Sequence, residues 1–192
     1  MRVKICGITR AEDAIQAERA GADAIGVILF SESPRCVNPE RAQAIFSAVG
    51  PFVTTVAVTH TKSRKELNRI LALRPGALQI SHPFAFPVRP QARILRVAGQ
   101  GSTVPGDAEA LVVDRSMGTG TLYDRGFARE LVRSSTVPVI LAGGLTPENV
   151  GEAIRSVRPY AVDVASGVEI RPGIKDPLRV AAFIRAAREA IP

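Results

Sequence analysis

Short apolar segments recur along the chain, and amphipathic segments with polar residues at helical spacing separate them. This spacing favours parallel strand–helix–strand units over hairpins, because parallel neighbours need a long crossover connection. A run of eight such units indicates an α/β fold of the (β/α)8 TIM barrel type. The predicted strands are Arg2–Cys6, Ala24–Leu29, Phe52–Val58, Ala77–Ile80, Ile94–Val97, Ala110–Asp114, Val139–Ala142 and Ala161–Val164.

The middle of the chain departs from this rhythm. Residues 81–90 contain three prolines, and residues 99–106 are rich in glycine, so neither stretch favours a regular helix. We expect helices 4 and 5 to be trimmed or replaced by loops. That would make the barrel compact enough for 192 residues, where about 250 are typical. Phe84, Phe86 and Val88 then cover the exposed strand faces or meet a partner subunit.

Composition places the chain among globular proteins, since 46% of its 192 residues are apolar. We expect one catalytic barrel domain over residues 1–192. The 25 lysines and arginines outnumber the 18 acidic residues but are scattered without a basic block. Together with the low aromatic content, this distribution argues against a nucleic-acid partner.

The apolar runs indicate the cellular compartment, and the cysteine spacing bears on metal binding. The N-terminus carries charges where a secretory signal is apolar, and the apolar run at residues 24–30 is shorter than the roughly 20 residues that span a bilayer. We therefore expect a cytoplasmic protein without a membrane partner. Cys6 and Cys36 match no zinc spacing, so no metal site is expected.

Two small-residue turns follow the last two predicted strands. Gly143 and Gly144 lie in the first turn, and Ser166 and Gly167 lie in the second. Bare backbone of this kind can approach an anion, and the Thr146–Pro147 pair predicts that a helix begins directly after the first turn. Barrels of this class hold phosphate groups with two such turns. The alternative is that the glycines only tighten loops.

Reactive side chains occupy the ends of two strands, where barrel enzymes carry their catalytic groups. Cys6 ends strand 1 and Asp114 ends strand 6. The alternatives are a buried apolar thiol and a loop-capping carboxylate. Lys4 shares the period-two parity of Cys6, and Asp163 lies on strand 8, which closes against strand 1. We expect a buried Lys4–Asp163 ion pair beneath the thiol, although Lys4 alone could fill the barrel floor.

Seven motifs carry a resemblance to a known family. They lie at residues 4–9, 21–26, 33–35, 113–120, 142–150, 163–169 and 173–176. The last two alone indicate only a phosphate-binding barrel, whereas the first, together with Asp114 and the Gly118–Gly120 stretch, is much more specific. With these motifs the chain resembles the phosphoribosylanthranilate isomerase family nearly end to end. One departure is that Ser81 precedes His82 after strand 4, which displaces the histidine by one place from the family pattern, so His82 is given no role.

The resemblance implies an aldose–ketose isomerase, an intramolecular oxidoreductase of tryptophan biosynthesis. Its reaction would be the Amadori rearrangement of N-(5'-phosphoribosyl)anthranilate to 1-(2-carboxyphenylamino)-1-deoxyribulose 5-phosphate, without a metal or an organic cofactor. On the family pattern Asp114 is the general acid and Cys6 the general base. Arg35 would bind the anthranilate carboxylate, and a loop with Gly118 and Gly120 would close over the substrate.

Two rival functions stay open. Another phosphosugar barrel enzyme, an epimerase or a synthase, would share the phosphate turns, and a non-catalytic phosphate-ligand sensor would need no catalytic pair. All three functions imply a phosphorylated small-molecule partner. The chain is expected to be a monomer or a homodimer.

A thiol ordinarily ionises near pH 8.5, so Cys6 needs positive potential to act as a base.

Overall fold

Eight parallel strands close into a barrel in the computed structural model, which describes residues 1–99, 106–114 and 123–190. β1 pairs with β2 on one side and with β8 on the other, so the sheet has no open edge between its first and last strands. This confirms the predicted (β/α)8 class. The strands are β1 (Arg2–Ile5), β2 (Ala24–Leu29), β3 (Thr54–Thr59), β4 (Ala77–Ile80), β5 (Arg93–Ala98), β6 (Ala110–Val113), β7 (Val139–Leu141) and β8 (Ala161–Val164).

Six α-helices surround the described part of the barrel. Helix starts follow their capping residues: the side chains of Asn38, Ser63 and Asp176 each accept a hydrogen bond from an amide of the first turn. None of the helices in the described ranges combines the length and the apolar character that a membrane span needs. The helices are α1 (Ala11–Ala20), α2 (Pro39–Ser47), α3 (Arg64–Ala72), α4 (Arg125–Ser134), α5 (Val150–Val157) and α6 (Pro177–Glu189).

Three short elements lie outside the barrel strands. Cys36–Val37 adds two residues beside β2. Ser166–Val168 forms a single 3-10 turn directly after β8, and the antiparallel strands Glu169–Arg171 and Ile174–Lys175 follow it as a small hairpin. Because β8 precedes both, the turn and the hairpin lie at the C-terminal mouth of the barrel.

The barrel interior is layered, with one side chain from each alternate strand per layer. The strand register puts small side chains in the lowest layer, where such barrels usually carry bulky branched ones. An open cavity of about 370 Å³ lies among them at the N-terminal mouth, and Lys4 lines it. The side chains of this layer are Ala24, Ala77, Ala110 and Ala161.

Arg96 stabilises the side of the barrel on which the described residues form no outer helices. No helix forms between β4 and β5, or in the described residues between β5 and β6. Arg96, on the outer face of β5, donates to the carbonyls of His82 and Phe84 at 2.8 and 3.0 Å. It also forms an ion pair of 2.5 Å with Asp107 on the other side of β5. The buried guanidinium therefore ties both irregular connections to the strand between them, as the prediction of trimmed helices requires.

The apolar residues of the first connection divide into two roles. Phe84 is buried in the core, and Phe86 is partly buried against it. The Arg64 guanidinium lies over both rings, 5.0 and 5.8 Å from their centroids. Val88 is 83% exposed. The expectation that these side chains cover strand faces is confirmed for the two phenylalanines and is wrong for Val88.

Replacing Arg96 with methionine should lower the free energy of unfolding by about 3 kcal/mol, because two carbonyls lose their donor and Asp107 loses its partner. Arg93→Met is the matched control, since Arg93 lies on the same strand but is exposed, and it should change stability little. Urea unfolding of both variants measures the difference. Equal effects would contradict the role of Arg96.

Candidate active site

The first glycine turn follows β7 at the C-terminal mouth. Gly143 and Gly144 have φ angles of 94° and 63°, which side chains with a Cβ rarely adopt. Asn149 holds the turn: its Oδ1 accepts from the amide of Thr146 at 2.8 Å, and its Nδ2 donates to the carbonyl of Gly144 at 2.9 Å. The amide of Gly144 donates to no acceptor in the described part of the chain. This leaves an N–H group available for an anion.

The start of α5 differs from the prediction. The helix begins at Val150, three residues after the predicted first-turn Pro147. The reason is that residues 147–149 form a separate turn, which the Asn149 side chain closes onto the Thr146 amide. The helix N-terminus is therefore set back from the glycines, and the turn amides are the nearer donors.

The second turn packs directly on the first. A Cβ at Gly167 would overlap the carbonyl oxygen of Leu145, so only glycine allows this approach. Arg179 of α6 joins the second glycine turn to the separate turn at residues 147–149: its Nε donates to the carbonyl of Gly167 at 3.0 Å, and its Nη2 lies 3.2 Å from Glu148 Oε2. Gly143, Gly144 and Ser166 line one pocket, and Gly167 supports it from the side of Leu145.

The predicted acid and base face that same pocket. Cys6 follows β1, Asp114 follows β6, and both side chains line the pocket beside the glycine turns. The amide of Cys6 donates to the carbonyl of Val164 at 2.8 Å, which continues the β1–β8 ladder to the thiol. A Cβ at Gly26 would come within 2.8 Å of Cys6 Sγ, so β2 leaves the space that the sulfur needs. The predicted loop residues Gly118 and Gly120 lie outside the described residues.

The expected buried ion pair is present beneath the thiol. Lys4 Nζ lies 2.7 Å from Asp163 Oδ2, and the two side chains are 5% and 7% exposed. Lys4 lines the lower cavity and Asp163 lines the upper pocket, so the pair separates the two spaces. Burial by itself lowers the pKa of Lys4, but the attraction of Asp163 prevails and raises it above its ordinary value. Lys4 is therefore a charged group and more than a filler of the barrel floor.

Opposing influences act on the Cys6 thiol. Burial raises its pKa, Lys4 and Lys175 lower it, and Asp163 raises it further; the balance lies above the ordinary value. The positive potential that the sequence analysis required is present, but burial outweighs it. The unliganded pocket therefore favours the protonated thiol over the thiolate.

Arg35 is held in a second buried network. Its Nε and Nη2 donate to the Glu169 carboxylate at distances of 2.7 to 3.1 Å. Lys175 Nζ lies 2.9 Å from Glu169 Oε1, and the side chains of Glu169 and Lys175 are 4% and 2% exposed. Burial favours the neutral form of Glu169, yet the two cations lower its pKa below the usual range. The guanidinium faces the pocket with one edge occupied.

Sequence reasoning missed several residues of this pocket. Gln79 lines it, and its Oε1 and Asp163 Oδ1 are buried acceptors without a hydrogen-bond partner among the described residues. Period-two parity with Ala77 would have placed Gln79 inside the barrel. His60 follows β3 and lines the pocket, with Nδ1 3.0 Å from Ser31 Oγ.

His82 has a structural position. Its carbonyl accepts from Arg96, and its ring packs edge-on against Phe84 with centroids 4.7 Å apart. Within the described ranges, no group of three or more His, Cys, Asp and Glu side chains could hold a metal ion.

These features define a class of protein: a (β/α)8-barrel enzyme whose C-terminal mouth joins two glycine turns to a thiol and a carboxyl. The model of one family, described as N-(5'phosphoribosyl)anthranilate (PRA) isomerase, matches residues 3–81 and 86–186. The chain belongs to this family of isomerases.

Known relatives agree with this assignment over almost the whole chain. An N-(5'-phosphoribosyl)anthranilate isomerase of Methanoregula boonei is 62% identical, covering 99% of this chain and 98% of its own. The crystal structure of phosphoribosyl anthranilate isomerase from Thermus thermophilus is 36% identical with a TM-score of 0.85, covering 98% and 99%. A phosphoribosyl anthranilate isomerase in complex with reduced 1-(o-carboxyphenylamino)-1-deoxyribulose 5-phosphate is 32% identical with a TM-score of 0.81, also covering 98% and 99%.

Breaking the central ion pair should be costly. Lys4→Met leaves the Asp163 carboxylate buried without its partner, so we expect a loss of about 3–5 kcal/mol in the free energy of unfolding. The double variant Lys4→Met/Asp163→Leu should recover part of that loss, because no buried charge remains. Arg133→Met is the control, since its ion pair with Glu130 is exposed. Denaturant unfolding of the unmodified chain and the three variants would contradict the pairing if the double variant were no more stable than Lys4→Met.

Phosphate binding should depend on the close approach of the two turns. Gly167→Ala pushes the second turn away from Leu145, and we expect it to weaken the binding of inorganic phosphate by about 10-fold, or ~1.4 kcal/mol. Gly106→Ala is the matched control, since a Cβ there has nothing within 4 Å. Isothermal titration with phosphate measures both variants. Unchanged affinity in folded Gly167→Ala protein would show that the anion binds elsewhere.

Proposed function

We propose that this chain catalyses the Amadori rearrangement of N-(5'-phosphoribosyl)anthranilate to 1-(2-carboxyphenylamino)-1-deoxyribulose 5-phosphate, the isomerase reaction of tryptophan biosynthesis. The observation that carries the proposal is one pocket lined by Cys6, Asp114 and both glycine turns. An aldose–ketose isomerisation needs an acid and a base that act on the same sugar. The turns supply an anchor that holds the sugar between them.

The reaction assigns one proton transfer to each side chain. Asp114 protonates the furanose ring oxygen as its bond to C1' breaks, and the lone pair of the anthranilate nitrogen forms the Schiff base. Cys6 then removes the proton from C2', which gives an enolamine. Tautomerisation then adds a proton to C1' and removes the proton of the 2'-hydroxyl, which converts the enol to the 2'-ketone and completes the isomerisation. No atom is gained or lost, so the reaction requires no oxidant or cofactor.

The raised pKa of the thiol is compatible with its role as a base. The Schiff base carries a positive charge next to C2', and that charge favours a thiolate at the moment when the base is needed. Lys4, which is close enough to the thiol to lower its pKa, adds to this effect. Removal of the C2' proton is thereby coupled to opening of the ring.

The remaining groups fit the two ends and the middle of the substrate. A planar carboxylate would bind the free edge of the Arg35 guanidinium, because Glu169 occupies the other edge. The buried oxygens Gln79 Oε1 and Asp163 Oδ1 are placed to accept hydrogen bonds from sugar hydroxyls. The loop containing Gly118 and Gly120 is proposed to close over the bound substrate.

The cellular setting is part of the proposal. A biosynthetic isomerase of a phosphorylated sugar works where its substrate is made, so we place this chain in the cytoplasm. Monomer and homodimer are both compatible with a pocket built from a single chain. Light scattering on the purified protein decides between these two states.

Substitution of the proposed base or acid should lower turnover without unfolding the protein. Cys6→Ala and Asp114→Asn should each reduce kcat/KM by at least ~100-fold, since each removes one proton transfer. Cys36→Ala is the matched control, because Cys36 lies outside the pocket lining. Loss of phosphoribosylanthranilate fluorescence measures turnover. Near-normal rates in either pocket variant would contradict the assignment.

The same assay separates the enzyme from a phosphate-ligand sensor. A sensor would bind phosphoribosylanthranilate, seen as a thermal shift, and leave its fluorescence intact over time. An isomerase consumes the substrate at catalytic protein concentrations. Binding without turnover in the unmodified chain would overturn the proposed function.

A further inference from the structure

Lys175 is a buried cation for which the proposed reaction has no role so far. It lies on the short strand Ile174–Lys175 and is 2% exposed. Its ammonium donates to the carbonyl of Ala165 at 3.0 Å and to Glu169 at 2.9 Å. A charge this deeply buried is costly unless it is paired or used.

The Lys175 ammonium lies against the backbone that borders the Cys6 thiol. Ala165 follows Val164, whose carbonyl accepts the amide of Cys6, so the ammonium binds the backbone that borders Cys6. Cys6 and Ala165 line the same pocket. Lys175 acts electrostatically on Cys6 and favours its ionised form.

The charges around Cys6 come from four sides of the mouth. Lys4 on β1 and Asp163 on β8 form an ion pair below the thiol, and the effect of Lys4 on the thiol is the larger of the two. Lys175 on the hairpin and Arg35 on the loop after β2 share the single carboxylate of Glu169. Asp114, which follows β6, raises the pKa of Asp163. The second network has two cations and one anion, so it leaves one positive charge beside the thiol.

We propose that Lys175 is a positioning residue that stabilises the Cys6 thiolate, and that Glu169 limits this stabilisation by sharing its charge between Lys175 and Arg35. The inference rests on the proposed function only in that Cys6 is the base there. It predicts opposite effects for the two neighbours. Removing the cation disfavours the thiolate, and removing the anion favours it.

The test measures the thiol directly, in a Cys36→Ala background that leaves Cys6 as the one cysteine. Lys175→Met should slow the alkylation of Cys6 by iodoacetamide by about 10-fold at fixed pH, and Glu169→Gln should accelerate it. Arg35 stays protonated in the Glu169→Gln variant, so at least one unpaired cation remains. A pH titration of thiolate ultraviolet absorbance gives the ionisation midpoint without dependence on reagent access.

Two controls separate electrostatics from structure. Lys175→Arg keeps the charge and should restore the alkylation rate to within about 3-fold of the background. Lys65→Met removes the same charge from an exposed position of α3 and should have no effect. If Lys175→Met does not fold, the ionisation midpoint of Glu169→Gln decides: a lower midpoint supports the inference, and an unchanged or higher midpoint overturns it.

The inference is overturned if Lys175→Met and Glu169→Gln shift the midpoint in the same direction, or if neither shifts it. Opposite shifts support it. Because the titration needs no turnover, opposite shifts in a chain that fails to isomerise phosphoribosylanthranilate would uphold the role of Lys175 and overturn the proposed function alone.

Discussion

The ion pair between Lys4 and Asp163 is the constraint on which the barrel and its pocket both depend. It joins β1 to β8, the two strands whose pairing closes the sheet, and it divides the barrel interior into a lower cavity and an upper pocket. Two charges buried this deeply contribute little net stability over an apolar pair. Their value lies in placing a fixed cation below Cys6, where it opposes the effect of burial on the pKa of the thiol.

The chain is short because polar contacts replace outer helices on one side. A barrel strand needs a cover for its outer face and partners for the carbonyls of its connections. Around β5, Arg96 supplies the hydrogen-bond donors, and Phe84 and Phe86 supply the apolar cover. These contacts surround β5, whereas the glycine turns follow β7 and β8. The absence of helices from the described connections beside β5 therefore leaves the glycine turns unaffected.

Local sequence patterns were sufficient to predict the features that depend on strand parity and turn chemistry. Period two placed Lys4 and Cys6 on the inner face, and the order of a closed barrel brought Asp163 beside Lys4. Parity could not reveal the Arg35–Glu169 contact, because the two residues are 134 positions apart and meet only through loop geometry. The predicted start of α5 was wrong because residues 147–149 form a separate turn, which the Asn149 side chain closes onto the Thr146 amide.

The charges around Cys6 show why Lys4 alone does not offset the effect of burial on the pKa of the thiol. Burial that shapes a small pocket also disfavours a thiolate, and it does so whatever reaction the pocket serves. Lys4 favours the thiolate more than Asp163 opposes it, but the ion pair does not outweigh burial. The second network, with two cations and one anion, adds to the positive potential that Lys4 supplies. Glu169 keeps that excess at one charge and fixes the position of Arg35, which we propose to bind the substrate carboxylate. In the proposed mechanism, the thiolate becomes favoured only when the Schiff base forms beside it.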